Sequence, residues 1–229
     1  MRIVAVINQK GGAAKTTTVM SLAAIAAQHS KVLVVDVDPQ ASVDLWAANA
    51  ESLPENEQLP FDVVSETDPT HLLRIRELDY DMVFVDTPGN IDNTEVLKAV
   101  VENSDFVLMP SEPAGLGLLP LINTYNKVVA KSGKDYRAVI TRVDTSSLGD
   151  AADAQEFLRN HGLKVCDTII RRYKVHERAP LTGTVVTGYE NSRHAQKAAL
   201  DYKDLSLELM SIWANNNKTL AGATSGSKE

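Results

Sequence analysis

Near its start the chain reads Gln9-Lys10-Gly11-Gly12-Ala13-Ala14-Lys15-Thr16-Thr17. Two glycines followed closely by Lys-Thr suit one kind of chemistry, the holding of a polyphosphate. Glycines let backbone N–H groups turn inward toward phosphate oxygens. Lys15 supplies a point charge for the β- and γ-phosphates, and the Thr16 hydroxyl is a ligand for Mg²⁺. The loop follows an apolar run, residues 2–7, and opens an amphipathic stretch, residues 16–29. A helix starting there adds a dipole favourable to anions. The competing reading is an ordinary glycine-rich turn with Lys-Thr present by chance. The order strand, loop, helix argues against it.

Carboxylates follow at two further strand ends. The second apolar run ends Val34-Val35-Asp36-Val37-Asp38-Pro39-Gln40, and the third reads Val83-Phe84-Val85-Asp86-Thr87-Pro88-Gly89. Residues two apart on a strand share a face, which would turn Asp36 and Asp38 to the same cleft. One Asp at a strand end is more often a turn or helix cap. Three at successive strand ends beside a Gly-Lys-Thr loop reverse that expectation. There is no Cys/His cluster for zinc or iron, and no Gly-x-Ser-x-Gly.

These residues need a scaffold, and the apolar pattern supplies one. Val/Ile-rich runs recur at residues 2–7, 31–37, 81–85, 105–109 and 137–143, with a weaker one at 165–170. Continuous runs without alternation suit strands buried on both faces of a parallel sheet. Helical patterns lie between them, at 16–29 and 117–131, and a closing helix carries Leu200, Leu205, Leu209, Ile212 and Trp213. The expected fold is therefore α/β, a doubly wound, mostly parallel sheet with helices on both faces, binding its ligand at the strands' carboxyl ends. A chain of 229 residues fits one domain, residues 1–213, followed by a polar tail, 214–229, expected to be disordered. No apolar run is long enough for a membrane span. Cys166 is the only cysteine, which excludes an internal disulfide and fits a cytoplasmic setting. A net charge of −7 argues against a surface coated in basic charge, though not against a local basic patch.

Lys10 just before Gly11-Gly12 resembles the deviant Walker A motif, Lys-Gly-Gly-x-Gly-Lys-Thr, of the ParA/MinD family; the match departs from it at Ala14. Asp36-Val37-Asp38-Pro39-Gln40 looks like that family's Walker A′ motif, and the strand ending at Asp86 its Walker B. Met109-Pro110-Ser111-Glu112-Pro113 is similar to its Pro-rich loop, and Ile169-Ile170-Arg171-Arg172 to a segment near the adenine and the DNA-binding face. The resemblance is closest to small ParA partition proteins without an N-terminal helix-turn-helix. It implies a P-loop NTPase with ATP and Mg²⁺ as cofactors, and a homodimer in the ATP state. By it, Lys10, Lys15 and Asp38 are catalytic, Lys10 reaching the partner's nucleotide and Asp38 positioning water. Nucleotide contacts fall on Lys10, Gly11, Gly12, Ala13, Ala14, Lys15, Thr16, Thr17, Asp36, Asp38 and Asp86; no sharp motif carries the adenine contacts, for which Arg142 and Arg172 are the expected residues. Thr16 ligates the metal, and Asp36 and Asp86 support it through water.

Basic residues gather late in the chain, and Arg171, Arg172, Lys174, Arg178 and Arg193 are the expected contacts to non-specific DNA. An ordinary solvated face is the competing reading. The expected function is a partition ATPase, cytoplasmic and nucleoid-associated, that segregates plasmid or chromosomal DNA. A ParB-like or other adaptor protein would stimulate its slow hydrolysis. The tail carries no basic amphipathic helix, so no membrane is expected as partner. Two alternatives stand: a McdA-like ATPase that positions a protein organelle, and a metabolic P-loop kinase or ligase.

Overall fold

In the computed structural model, which describes residues 1–89 and 94–225, all six apolar runs become strands. In chain order the elements are β1 (Arg2–Val6), α1 (Lys15–Ala26), β2 (Val32–Asp36), α2 (Ser42–Glu51), β3 (Asp62–Ser65), α3 (Pro69–Leu72), β4 (Met82–Asp86) and α4 (Thr94–Asn103). They continue with β5 (Phe106–Ser111), α5 (Gly115–Thr124), α6 (Ala130–Ser132), β6 (Asp135–Val143), α7 (Leu148–Asn160), β7 (Val165–Arg171), α8 (Val175–Thr182) and α9 (Arg193–Ser225). A π-helical turn, Tyr125–Val129, joins α5 to α6, so that one helical stretch fills the span expected at 117–131.

Every strand pairing is parallel, in the order β3-β2-β4-β1-β5-β6-β7. Alternate residues of the central strands feed opposite cores. Val4 and Val6 pack with α1, α2, α8 and α9, whereas Ile3 and Ala5 pack with α4, α5 and α7. Burial on both sides is why these strands read as continuous apolar runs. The seventh strand, β3, is an addition to the expected six. Its four residues, Asp62-Val63-Val64-Ser65, lie at the sheet edge and stay largely exposed, so they leave no apolar signature.

The closing helix also differs from expectation. α9 continues through residues 214–225, which the sequence pattern placed in a disordered tail. Trp213 anchors its packed part edge-on to Phe106 and under the Arg2 guanidinium. Asn216 Nδ2 then donates to Asp135 Oδ2 at 2.6 Å. Extending an anchored helix avoids the cost of nucleation, so a polar sequence without proline carries on. Residues 226–229 lie outside the described part.

Helix α8 is fastened to α2. Trp46 Nε1 donates to Thr184 O at 2.7 Å, and Asn49 Nδ2 to Pro180 O at 2.9 Å. The close approach is made possible by Gly183, left-handed at φ 73°, where a Cβ would sit 2.3 Å from Ala50 N. Gly183→Ala therefore forces α8 away from α2. We expect a loss of about 2–4 kcal/mol in thermal or urea unfolding; an unchanged midpoint would show that the two helices are not in this contact.

Candidate functional site

The carboxyl ends of the strands open on a cleft of about 820 Å³, walled by Gly11, Gly12, Lys15, Thr16, Asp38 and Arg142 among others. Its floor is the loop between β1 and α1. Gly12 is left-handed at φ 78°, and Ala14, the N-cap of α1, sits at φ 63°, ψ 29°. No side chain caps α1 and its first turn holds no acid, so nothing of the helix's own competes for its first N–H groups. Gly89 packs directly on the loop, where a Cβ would lie 3.0 Å from Gly11 Cα.

The loop is braced from four sides. Asn8 Oδ1 accepts from Lys10 N at 3.0 Å, while Asn8 Nδ2 donates to Pro110 O at 2.7 Å. Gln9 N donates to Thr124 Oγ1, Thr141 Oγ1 to Ala13 O, and Arg142 Nη1 to Gly12 O. None of these supports was read from the sequence. Apart from the local Asn8–Lys10 bond, their partners lie more than a hundred residues away, and no local pattern marks them.

Lys15 is buried at the start of α1, and its one hydrogen bond among the described residues is a long one, 3.4 Å, to Lys10 O. Burial pulls its pKa below the ordinary lysine value, partly offset by Asp86 and Asp38. Thr16 Oγ1 donates to Asp86 Oδ2 at 2.5 Å. Asp86 is fully buried, and its Oδ1 has no partner among the described residues. Desolvation pushes its pKa up to about 7, against the Thr16 hydrogen bond and Lys15, which lower it.

Asp36 is placed differently from expectation. It lies behind the cleft wall, with Oδ1 accepting from Asp38 N at 2.8 Å and Oδ2 from Val43 N at 3.1 Å. It therefore fastens the Asp38-Pro39-Gln40 turn to the start of α2. The two-residue alternation fails because the strand ends at Asp36, and Asp38 already belongs to the turn. Asp38 does line the cleft.

The arginines separate. Arg142, expected at the adenine, reaches the loop between β1 and α1, and its own backbone is left-handed at φ 55°. Arg172 lies on the cleft wall, paired with Glu177 at 3.1 Å. Beside it Tyr173 and His176 line the cleft and were not singled out in the sequence; the His176 ring nitrogens are buried and meet no hydrogen-bond partner of full geometry among the described residues, with the Arg171 backbone near enough to favour the charged ring. Burial holds the His176 pKa below the ordinary value, so the ring is neutral near pH 7. Arg171 is taken up by Asp201, which accepts from both its guanidinium and its backbone N–H. That leaves Lys174, Arg178 and Arg193 exposed and without an ion-pair partner among the described residues.

This arrangement fits a magnesium-bound nucleoside triphosphate. It offers an uncapped helix start, a buried ammonium short of acceptors, and a hydroxyl bonded to a carboxylate whose other oxygen lacks a partner among the described residues. Comparison with known proteins agrees. Residues 4–212 match the family described as CobQ/CobB/MinD/ParA nucleotide binding domain, and the chain belongs to that family. It is 42% identical, over 93% of its length and 95% of the relative's, to the maintenance of carboxysome distribution protein A of Gloeobacter kilaueensis. Its fold matches the Cyanothece McdA(D38A)–ATP complex with a TM-score of 0.67 at 16% identity, covering 91% of this chain and 96% of that one. It also matches cobyrinic acid a,c-diamide synthase from Mycobacterium smegmatis with bound ATP analogue and magnesium, with a TM-score of 0.64 at 21% identity, covering 93% and 95%. ATP and magnesium are thus the cofactors carried by structures of this fold.

Two expectations follow from the geometry. A left-handed alanine is disfavoured where glycine is not. Ala14→Gly should therefore raise the stability of the nucleotide-free protein by about 0.5–1 kcal/mol in urea unfolding; a loss would place Ala14 outside the left-handed region.

The second concerns Asp86. Its folded pKa is raised, so the native state keeps a proton that the unfolded chain has lost between about pH 4 and about pH 7. Stability from this group is full below that window and falls as pH rises through it, by at most about 1.4 kcal/mol per unit. Measured in EDTA, Asp86→Asn should gain on the wild type as pH rises; parallel stability curves would contradict the buried, unpaired carboxyl.

Proposed function

We propose that this chain is a ParA-type positioning ATPase whose cargo is a protein body. One observation carries the choice of cargo. The 42% identical relative, matched nearly end to end, is named for maintaining carboxysome distribution. It favours the protein-cargo alternative over segregation of plasmid or chromosomal DNA, which the sequence put first.

In this reading the N–H groups of Gly11 to Thr17 and the Lys15 ammonium hold the β- and γ-phosphates. Thr16 ligates the metal directly, and Asp86 supports it through water. Bound MgATP supplies the phosphoanhydride bond that is hydrolysed and a metal charge that offsets the negative charge of the reacting phosphate. Asp38, at the cleft wall, orients the attacking water. Asp36, through the amides of Asp38 and Val43, keeps Asp38 in place. Arg172, Tyr173 and His176 form the base end of the cleft, where the buried His176 ring, close to Tyr173 and Tyr202, shapes the wall.

Two subunits then close face to face, with Lys10 of each completing the other's site. The exposed cations Lys174, Arg178 and Arg193 give the dimer a surface for non-specific DNA, which serves as its track. An adaptor protein on the cargo stimulates hydrolysis; supplying a missing charge in trans is worth ~10³–10⁵ in related GTPases. Hydrolysis ends the pairing and releases the DNA.

Lys15→Ala tests the foundation. Calorimetric titration with MgATP should show binding weakened by at least about a hundredfold, given a charged hydrogen bond in a buried site. Light scattering with ATP and with ADP, repeated with non-specific DNA, tests the switch. A wild type that stays monomeric when saturated with a non-hydrolysable analogue ends this reading.

A further inference from the structure

Lys10 has a partner already. Its Nζ lies 2.7 Å from Glu112 Oε2, in a pair whose side chains are 31% and 26% exposed. Glu112 Oε1 in turn lies 3.4 Å from Arg142 Nη1, which also donates to Gly12 O at 2.9 Å. One carboxylate thus bridges two cations, one on the phosphate loop and one at the end of β6. The segment after β5 is folded against this pair. Ser111 Oγ donates to Gly117 O at 3.1 Å, and a Cβ on Gly117 would lie 3.4 Å from Lys10 Nζ. The Lys10 backbone is pinned by Asn8, so the side chain alone is free to change partners.

We infer that Glu112 is a latch on Lys10: in the lone subunit its carboxylate holds the ammonium that a second copy's nucleotide needs, and the release of Lys10 sets the threshold for pairing. The inference rests on the dimerising switch proposed above and adds its regulation. The argument is one of competition. An ammonium shared between a carboxylate in its own chain and a phosphate in another goes to the phosphate only when the more highly charged anion is present. Glu112 is not left bare when Lys10 departs, because Arg142 remains within reach of its other oxygen. The strained backbone of Arg142, at φ 55°, shows that its position is held by such contacts and not by its own preference. A nucleoside diphosphate, lacking the terminal phosphate, offers less to draw Lys10 away, so the latch sharpens discrimination between the two nucleotide states.

The test is sedimentation velocity on the full chain at rising concentrations of a non-hydrolysable ATP analogue. Glu112→Gln keeps the shape and removes the charge. It should reach half dimer at a concentration roughly three- to thirty-fold below the wild type, from two partly exposed ion pairs per dimer. Adding Lys10→Ala to Glu112→Gln should abolish the gain. Nucleotide affinity is measured in parallel at a dilution where both proteins are monomers. The latch is overturned if Glu112→Gln needs as much analogue as wild type, or more, the latter meaning that Glu112 acts across the interface. It is also overturned if tighter monomer binding accounts for the whole gain. A wild type that never dimerises overturns the switch itself, and the latch with it; a wild type that pairs normally beside an unaltered variant removes the latch alone.

Discussion

The buried ammonium of Lys15 is the interaction on which the rest depends. It sits at the first residue of α1, with one long hydrogen bond, near Asp86 and Asp38. A charge in that position is costly unless strong partners meet it. Asp86 does so only in part, since burial keeps its carboxyl close to half protonated at neutral pH. Lysine and carboxylate are both left short of partners, and a triphosphate with its metal relieves both at once. A metal bound nearby would offset the charge Asp86 takes on when it loses its proton, and phosphates would supply the acceptors Lys15 lacks.

Strain gathers around the same cleft. Among the described residues three non-glycine residues are left-handed: Ala14, Ala41 and Arg142. Ala14 and Arg142 line the cleft, and Ala41 stands between Gln40 and Ser42, which also line it. Each such residue costs of order 1–3 kcal/mol and persists only where its surroundings over-determine it. The surroundings here are the braces on the phosphate loop, from Asn8, Thr124, Thr141 and Arg142, and the two amides that Asp36 accepts. Ala14 also bears on the departure from the family motif. The loop keeps the left-handed turn that glycine would make easily, so the substitution changes the cost of the conformation and not the conformation itself.

A second thread joins the site to the exposed cations. Asp36 holds the start of α2 through Val43 N, and the far half of α2 holds α8 through Trp46, Asn49 and the fit at Gly183. α8 carries His176, on the cleft wall, and Arg178, on the surface. The turn that bears Asp38 and the helix that bears these residues are therefore tied to one rigid element. A change at the Asp38 turn has a short packed route to the exposed cations.

Much of this was legible in the residues themselves. The Gly-Lys-Thr loop between strand and helix, six of the strands, the placement of Asp86 at a strand end and of Asp38 just past one, and the parallel α/β class all follow from local patterns. Each rests on neighbours within a few positions, such as the run of Val and Ile that a doubly covered strand requires, or glycines ahead of Lys-Thr. What only the tertiary structure decided lies between residues far apart. β3 left no mark because an exposed edge strand needs no apolar run. Arg171, expected on the DNA face, is held by Asp201 thirty residues on. Arg142 turned to the phosphate loop, and Glu112 took Lys10, each across more than a hundred residues. A sequence states which charges exist, but which charge meets which is set by how the sheet orders its strands, because Coulombic and hydrogen-bond partners are chosen by distance in space.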